Sequence, residues 1–565
     1  MNELAILHVP ESKFCFPADD KTVSLRLRVS RLDKPKSISV VYGGKYEYAF
    51  SQKEAEMELV FTDRLFSWHA ASIELSDVRF VYVFKIIEGE NVFYYSEDGL
   101  SDSYDFTLAY YNSFQLPYIN GADVHRVVPW MREAVFYQIF IDRFHRADAF
   151  KDDSYINMKW LGKPTPKSFA GGDIPGIAEK LPYLAGLGVN TIYLTPIFTS
   201  ASNHKYDISD YYSIDRQFGS NEDFRNLMEK AHERGMRIVL DAVFNHCSEN
   251  LRQFQDVLKN GRASKYHGWF MIDGDRPDAA ARNYECFSAC AYMPKFNTSN
   301  KEVQEYLLGI ATFWIKEYDI DGWRLDVSDE LSHDFWRKFR FAVKEAKPDA
   351  VIIGENWHDA NPSLHGDQFD GIMNYAFTKA SLDFFANESI DAGQFAEKLS
   401  GLLMRNTDQA NLMMLNILDS HDTHRFLTCV GENRDKLLAA LAVEFMFVGA
   451  PGIYYGTEIG MIGGYDPDSR RCFDWNGEGG AIADAISSLI ALRKRRELKF
   501  GGIKIAHERG SLIITRDFDG GAVLLQVNAS KESEDLLIPG NPLVENGLLA
   551  GKIKPWGFAV NSTVI

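Results

Sequence analysis

The sequence predicts an α/β protein: a closed (β/α)8 TIM barrel with an inserted lobe after its third strand, flanked by an amino-terminal and a carboxyl-terminal β-sandwich. Three observations predict it. Eight short apolar segments follow one another through the middle of the chain, most of them separated by helical stretches. No Gly-rich dinucleotide fingerprint follows any of these strands, which disfavours an open doubly wound sheet. The two ends of the chain alternate in the period of strands and carry β-branched and aromatic residues.

The first stretch, 1–122, contains TVSLRLRV (22–29), SISVVYG (37–43), RFVYVFKII (79–87) and, after the turn EGE, NVFYYS; it reads as a sandwich. The barrel is expected over 123–499. AVFYQIFIDRF (134–144) is its first strand, and Ile177, Leu181, Leu184 and Leu187 then fall at helical spacing. TIYLTPIF (191–198) is followed by a helix with Phe224, Leu227, Met228 and Ala231 on one face and a glycine stop at Gly235. MRIVLDAVFNH is the third strand. The inserted lobe covers about 247–298, where periodicity is weak. Ser299 and Glu302 stand in capping-box register before the helix that leads into GWRLDV. DAVIIGE (349–355), FDGIMNY (369–375), NLMMLNILDSHD (411–422) and APGIYYG (450–456) complete the eight strands, and SLIITRDF, GAVLLQVN and DLLIP place the second β domain at 500–565.

The balance of 61 basic and 79 acidic residues leaves a net charge of -18, which opposes nucleic acid and anionic membranes and favours a neutral or cationic ligand. No apolar run reaches the roughly 20 residues of a membrane span, and the amino terminus lacks a signal-peptide pattern. The six cysteines are scattered without a zinc pattern. These features predict a cytoplasmic location with reduced thiols.

GWRLDV holds two charges in an apolar strand. Because side chains alternate, Arg324 and Asp326 share one face and Leu325 takes the other. Asp241, Asp326, Glu355 and the pair His421 and Asp422 all lie at the carboxyl ends of strands, which converge on one rim of a barrel. An isolated strand-end carboxylate usually caps a helix or completes an ion pair, and Asp241 is given a positioning role. Three such acids at one mouth are the equipment for glycoside cleavage. Asp326 is the expected nucleophile, with its pKa held low by Arg324. Glu355, beside apolar residues, is the expected proton donor with a raised pKa, and Asp422 a third acid that binds sugar hydroxyls. Metal-dependent hydrolysis is the competing chemistry, but neither a His-x-His after the first strand nor an HExxH occurs.

DAVFNH (241–246), GWRLDV (322–327), GENW (354–357) and SHD (420–422) resemble, in order and spacing, the four signature blocks of the α-amylase family of retaining glycoside hydrolases. MPKFN (293–297) and YGTEIGMIGGYDPDSRRCFDW (455–475) are similar to the cyclomaltodextrinase, maltogenic amylase and neopullulanase group, and the amino-terminal segment resembles that group's starch-binding-type sandwich. The resemblance implies Asp326 as nucleophile, Glu355 as acid/base and Asp422 as transition-state stabiliser. It implies His246 and His421 as donors to the reacting glucose, Arg324 as partner of the nucleophile, and Tyr206 as the platform under the ring. Asp466 and Arg470, in the last block, are carried over as substrate-binding. Glu330 and Trp357 match the acceptor side, with a solvated charge and a rim aromatic as the alternatives. Asn356, Asp419, His424 and Thr457 depart from the group's pattern and leave acceptor preference open.

Group members often bind calcium in the loop after the first strand. That comparison leaves Asp148, Asp153, Gly172 and Asp173 as candidate ligands of a structural calcium, with Arg146 in place of an asparagine and disfavouring a cation. The reaction itself requires no cofactor. The implied activity is hydrolysis of α-1,4-glucosidic bonds in cyclomaltodextrins and maltooligosaccharides, with pullulan and transglycosylation open, in a homodimer. A transferase or isomerase of the same fold and an inactive glucan-binding protein remain the alternatives.

Overall fold

The computed structural model describes residues 1–147, 151–477 and 479–564. Two sheets form the amino-terminal unit. One joins Cys15–Pro17, Thr22–Ser30, Phe66–Glu74 and Glu58–Thr62; the other is built on Ser37–Gly44 and Phe80–Glu88. The alternation of Val23, Leu25, Leu27 and Val29 turns these side chains inward against Ile38, Val40, Phe84 and Ile86. Arg26 ties this unit to the barrel by donating Nη1 to the carbonyl of Asn406 at 2.6 Å.

Eight parallel strands form the barrel: β1 (Phe136–Ile139), β2 (Thr191–Leu194), β3 (Arg237–Ala242), β4 (Gly322–Leu325), β5 (Val351–Gly354), β6 (Gly371–Ile372), β7 (Leu415–Ile417) and β8 (Ala450–Tyr454). A parallel bridge between Met373 and Leu415 closes it. Strand alternation sorts the side chains. Tyr137, Ile139, Ile238, Leu240, Trp323 and Leu325 belong to the core shared with the surrounding helices. Phe136, Tyr193, Val239, Val351, Ile353, Met373 and Leu415 fill the interior. Register then decides where polarity begins: Val239 lies beside Gly322, and two residues further on Asp241 lies beside Arg324. The lining therefore changes from apolar at the base to charged at the mouth.

Helix α1 (Ile174–Leu187) starts at the N-cap Asp173 and ends at Gly188, whose φ of 101° only glycine adopts freely. Helix α2 (Asn221–His232) begins with a capping box of Ser220 and Asp223 and buries Phe224, Leu227, Met228 and Ala231. The capping box expected from Ser299 and Glu302 is replaced: Asn300 caps α3 (Lys301–Tyr318) by accepting from the Glu302 amide, and the Glu302 carboxylate is drawn off by Trp269 Nε1 at 2.9 Å.

The lobe after β3 is tied to the mouth by the isolated bridge of His246 with Lys295, and Phe270 with Phe296 bridges within the lobe. At the other end of the chain, where a sandwich is expected, the strands join in one six-stranded sheet. One face puts Leu512, Ile514, Leu525 and Val527 into the barrel core, while Ile538, Ile553 and Ala559 cluster separately. The barrel thereby supplies cover that a second sheet would give. Leu325→Ala removes a fully buried side chain from behind the strand that carries the mouth's arginine. It is expected to lower the unfolding free energy by about 2–5 kcal/mol in chemical denaturation.

Candidate active site

A cleft of about 490 Å³ opens at the carboxyl ends of the strands, lined among others by Tyr206, His246, Asp326, Glu355, Trp357, Asp422, Asp466 and Arg470. Its floor is one buried arginine. Arg324 Nη1 donates to Asp326 Oδ1 at 2.9 Å and to Asp241 Oδ1 and Oδ2 at 3.0 Å each. Its Nη2 lies 2.9 Å from Glu355 Oε1. Glu355 Oε2 accepts from the Val327 amide at 2.9 Å, while Asp326 Oδ2 has no protein partner. Asp326 and Glu355 thus meet through a single guanidinium, which holds two carboxyls close across one small space.

Three acids around this arginine cannot all ionise easily. Burial pushes the Asp326 carboxyl well up; Arg324 opposes this, but Glu355, Asp241 and Asp422 reinforce it. The low pKa expected for Asp326 is corrected accordingly, because Arg324 is shared among three acids and its charge is divided. Burial also raises Glu355, against Arg324, the Val327 amide and the Trp357 indole. Asp241 is pushed up to about 6 by burial. It lies below the cleft, accepting from Tyr193 at 2.6 Å and Tyr206 at 2.9 Å, so it positions other groups and does not line the space.

The histidines are neutral. Burial holds His246 down to about 3, and its Nε2 has no protein partner beside the cleft. His421 is driven well below the ordinary range by burial, with Arg470 and Arg324 adding to it. Gln138 Nε2 sits 2.7 Å from His421 Nδ1, and His421 Nε2 lies 2.6 Å from the Tyr206 hydroxyl and 3.2 Å from Asp422 Oδ2. The rings of Tyr206 and His421 are parallel to within 4°. Arg470 holds Asp422 Oδ1 at 3.2 Å and Asp466 Oδ1 at 3.0 Å. The result is a set of neutral donors and acceptors, one flat ring and fixed carboxyls, suited to a polyhydroxylated neutral ring.

Trp357 is half-exposed at the rim, stacks on Tyr375 at 3.6 Å and donates Nε1 to Glu355 Oε1 at 3.2 Å. Glu330 does not line the cleft. Lys295 binds its Oε2 at 2.8 Å and holds it at the edge, and its neighbour Asp329 faces the space instead. Asn356, a departure that bears on acceptor binding, is buried and its Oδ1 accepts from the His358 amide. Sequence reasoning missed Gln138, Tyr193, His204 and Phe287. A glutamine inside the apolar run FYQIF was a signal for the first. Phe287, stacked on His246 at 4.8 Å, comes from the lobe and carried none.

The residues carried over for calcium divide. Asp148 lies outside the described residues. Asp153 faces Arg146 at 3.3 Å, Gly172 donates its amide to the Asp142 carbonyl, and Asp173 caps α1 and pairs with Lys151. Among the described residues no group of three or more His, Cys, Asp or Glu suits a metal ion. Among the described residues, the donor set of this loop does not fit calcium.

A carboxyl raised on folding favours the folded state fully only below its unfolded pKa, and that contribution is lost as pH rises through the folded value. Asp326→Asn is therefore expected to raise the thermal midpoint at neutral pH while lowering kcat by on the order of 10³-fold or more, with the gain in midpoint shrinking toward acid pH. Trp357→Phe removes a donor that favours the ionised Glu355. The basic limb of kcat/KM is expected to move to higher pH, read from a full pH profile.

Comparison with known proteins agrees with this geometry. The family described as alpha amylase, catalytic domain, matches residues 138–485, and that described as alpha amylase, N-terminal ig-like domain, matches 1–120. A cyclomaltodextrinase of Thermoanaerobacter pseudethanolicus is 42% identical, covering 94% of each chain. An intracellular maltogenic amylase of Bacillus subtilis is 43% identical over 88% of this chain and 85% of its own. Among solved structures, one titled cyclomaltodextrinase aligns with a TM-score of 0.92 at 35% identity, covering 100% of this chain and 98% of its own. With its strand-end acids gathered at one barrel mouth, the chain belongs to the α-amylase family and is a glycoside hydrolase.

Proposed function

We propose that the protein cleaves α-1,4-glucosidic bonds of cyclomaltodextrins and short maltooligosaccharides with retention of configuration. The observation that carries this reading is the guanidinium of Arg324 touching both Asp326 Oδ1 and Glu355 Oε1 at 2.9 Å. A shared arginine favours the close carboxyl pair of a double displacement, about 5 Å, over the wider spacing that admits a water.

In this mechanism Asp326 Oδ2, the oxygen without a protein partner, attacks the anomeric carbon as the bond to the leaving oxygen breaks. Glu355 gives that oxygen its proton. The now ionised Glu355 takes a proton from water, whose oxygen displaces Asp326 and restores the starting state. Because the acids are coupled, one proton shared between Asp326 and Glu355 supplies both an ionised nucleophile and a protonated acid. Tyr206 carries the ring, and His246 Nε2 and the Asp422 carboxylate reach its hydroxyls. Where a sugar replaces water in the second step, the product is a transfer product; Trp357 and Asp329 flank that side.

The reading extends to a cytoplasmic homodimer. Its supports are the relative named intracellular, six free cysteines, and apolar surface on the amino-terminal unit, where Tyr46, Phe50, Tyr110 and Tyr111 are exposed. No helix among the described residues is long and apolar enough to cross a membrane.

A product profile on β-cyclodextrin, pullulan and soluble starch, with the anomer of the first product followed by NMR, tests the reading. The expected result is preferred opening of the cyclodextrin with an α-anomeric product. Attack on starch with cyclodextrin untouched, or a β-anomer, rejects it. A transferase predicts mainly longer products, and a binding protein predicts none. Glu355→Gln is expected to lower turnover of cyclodextrin by about 10²–10⁴-fold, with a smaller loss on a glucoside whose leaving group needs no proton.

A further inference from the structure

The loop after β1 is where the family resemblance implies a calcium ion, and this chain places a positive side chain there. Lys151 Nζ lies 2.6 Å from Asp173 Oδ2, 2.5 Å from the Gly171 carbonyl and 3.3 Å from the Gln217 carbonyl. An ammonium has three N–H groups and no acceptor, so these oxygens use its full capacity. The pair is sheltered, with 17% of the Lys151 side chain and 3% of the Asp173 side chain exposed. The remaining oxygen of Asp173 is engaged as well: Oδ1 accepts from the amides of Gly176 at 2.8 Å and Ala147 at 3.2 Å.

We propose that Lys151 is the resident cation of this loop, taking the place of a divalent ion, so that the protein neither holds nor needs calcium there. Calcium takes six to eight oxygens at about 2.3–2.6 Å and gains most from several carboxylates. Here one carboxylate, Asp173, is already neutralised by one ammonium. Asp153 is turned to Arg146, and Asp142 accepts from Arg143 and from the amides of Ala170 and Gly171. A dication entering this space meets Lys151 and Arg146 at close range, where like charges in a partly buried setting repel strongly.

The ammonium also does the mechanical task of a bound ion, which is to join pieces of chain that are remote in sequence. Gly171 and Asp173 lead into α1, whereas Gln217 precedes α2. Gln217 faces both ways: its carbonyl accepts from Lys151 and its Oε1 accepts from Lys205 Nζ at 2.5 Å. Lys205 is buried, pairs with Asp215 at 2.9 Å and directly precedes Tyr206, the ring of the cleft. Lys151 is thus a structural tether whose hold extends through Gln217 and Lys205 to the cleft's edge.

The test uses the full chain, independently of which glucan it cleaves. After purification in chelator-free buffer, bound calcium is measured by elemental analysis, and the thermal midpoint is compared in EDTA and in excess calcium. The expected result is no stoichiometric calcium and one midpoint in both buffers. Lys151→Met is expected to lower the midpoint in EDTA by about 2 °C or more. One calcium per chain, a midpoint of the unaltered chain that rises in calcium by that amount, or an unchanged midpoint in Lys151→Met overturns the proposal. Should Lys151→Met not fold, the metal content and the two midpoints of the unaltered chain still decide.

Discussion

Arg324 is completely buried at the one place in the barrel where strand register turns the interior from apolar to charged, and the organisation of the cleft depends on it. A lone guanidinium in a protein interior is costly, and so is each of the acids around it; together they are tolerated because every charge faces another. Removing the arginine from such a cluster costs about 3–5 kcal/mol, since the acids are then left uncompensated. The arrangement is also unbalanced: three acids contact a single cation, so their ionisations compete. In the proposed mechanism, acid and nucleophile differ by where a shared proton rests.

Around this charged floor the histidines add no further charge. His246 and His421 are kept neutral by burial, and the chain from Gln138 through His421 and Tyr206 to Asp241 fixes ring orientation without adding charge. A neutral sugar gains from such a lining because its hydroxyls exchange water for preset donors and acceptors. The same reliance on preset groups appears at the loop after β1. There a lysine fastened to Asp173, Gly171 and Gln217 occupies ground where the resemblance implies an exchangeable ion.

Much of the fold was legible because periodicity is local. The strands and helices around Ile177, Leu227 and Leu325 follow directly from which positions are apolar, and acids at strand ends point to a common rim once a barrel is inferred. The cap of α3 lies one residue on because Asn300 and Ser299 offer similar chemistry, and Trp269, remote in sequence, engages the Glu302 carboxylate that a capping box would need. Glu330 and Asp329 are adjacent, and their difference in facing depends on Lys295 from the lobe. Tyr193 and Phe287 look like packing residues in the chain and acquire their places only from partners more than forty residues away.

The order of the elements, the alternation that sets Arg324 and Asp326 on one face, and the identities of the acids at the mouth were determined by the sequence by itself. Local chain geometry and side-chain chemistry suffice for these. Which acid shares the arginine, how far Asp326 is pushed up, which rim residue meets the cleft, and that Lys151 reaches Asp173 were decided only by the tertiary structure. Burial and charge–charge interaction act through space, and no spacing along the chain encodes the distance between side chains that closure of the barrel brings together.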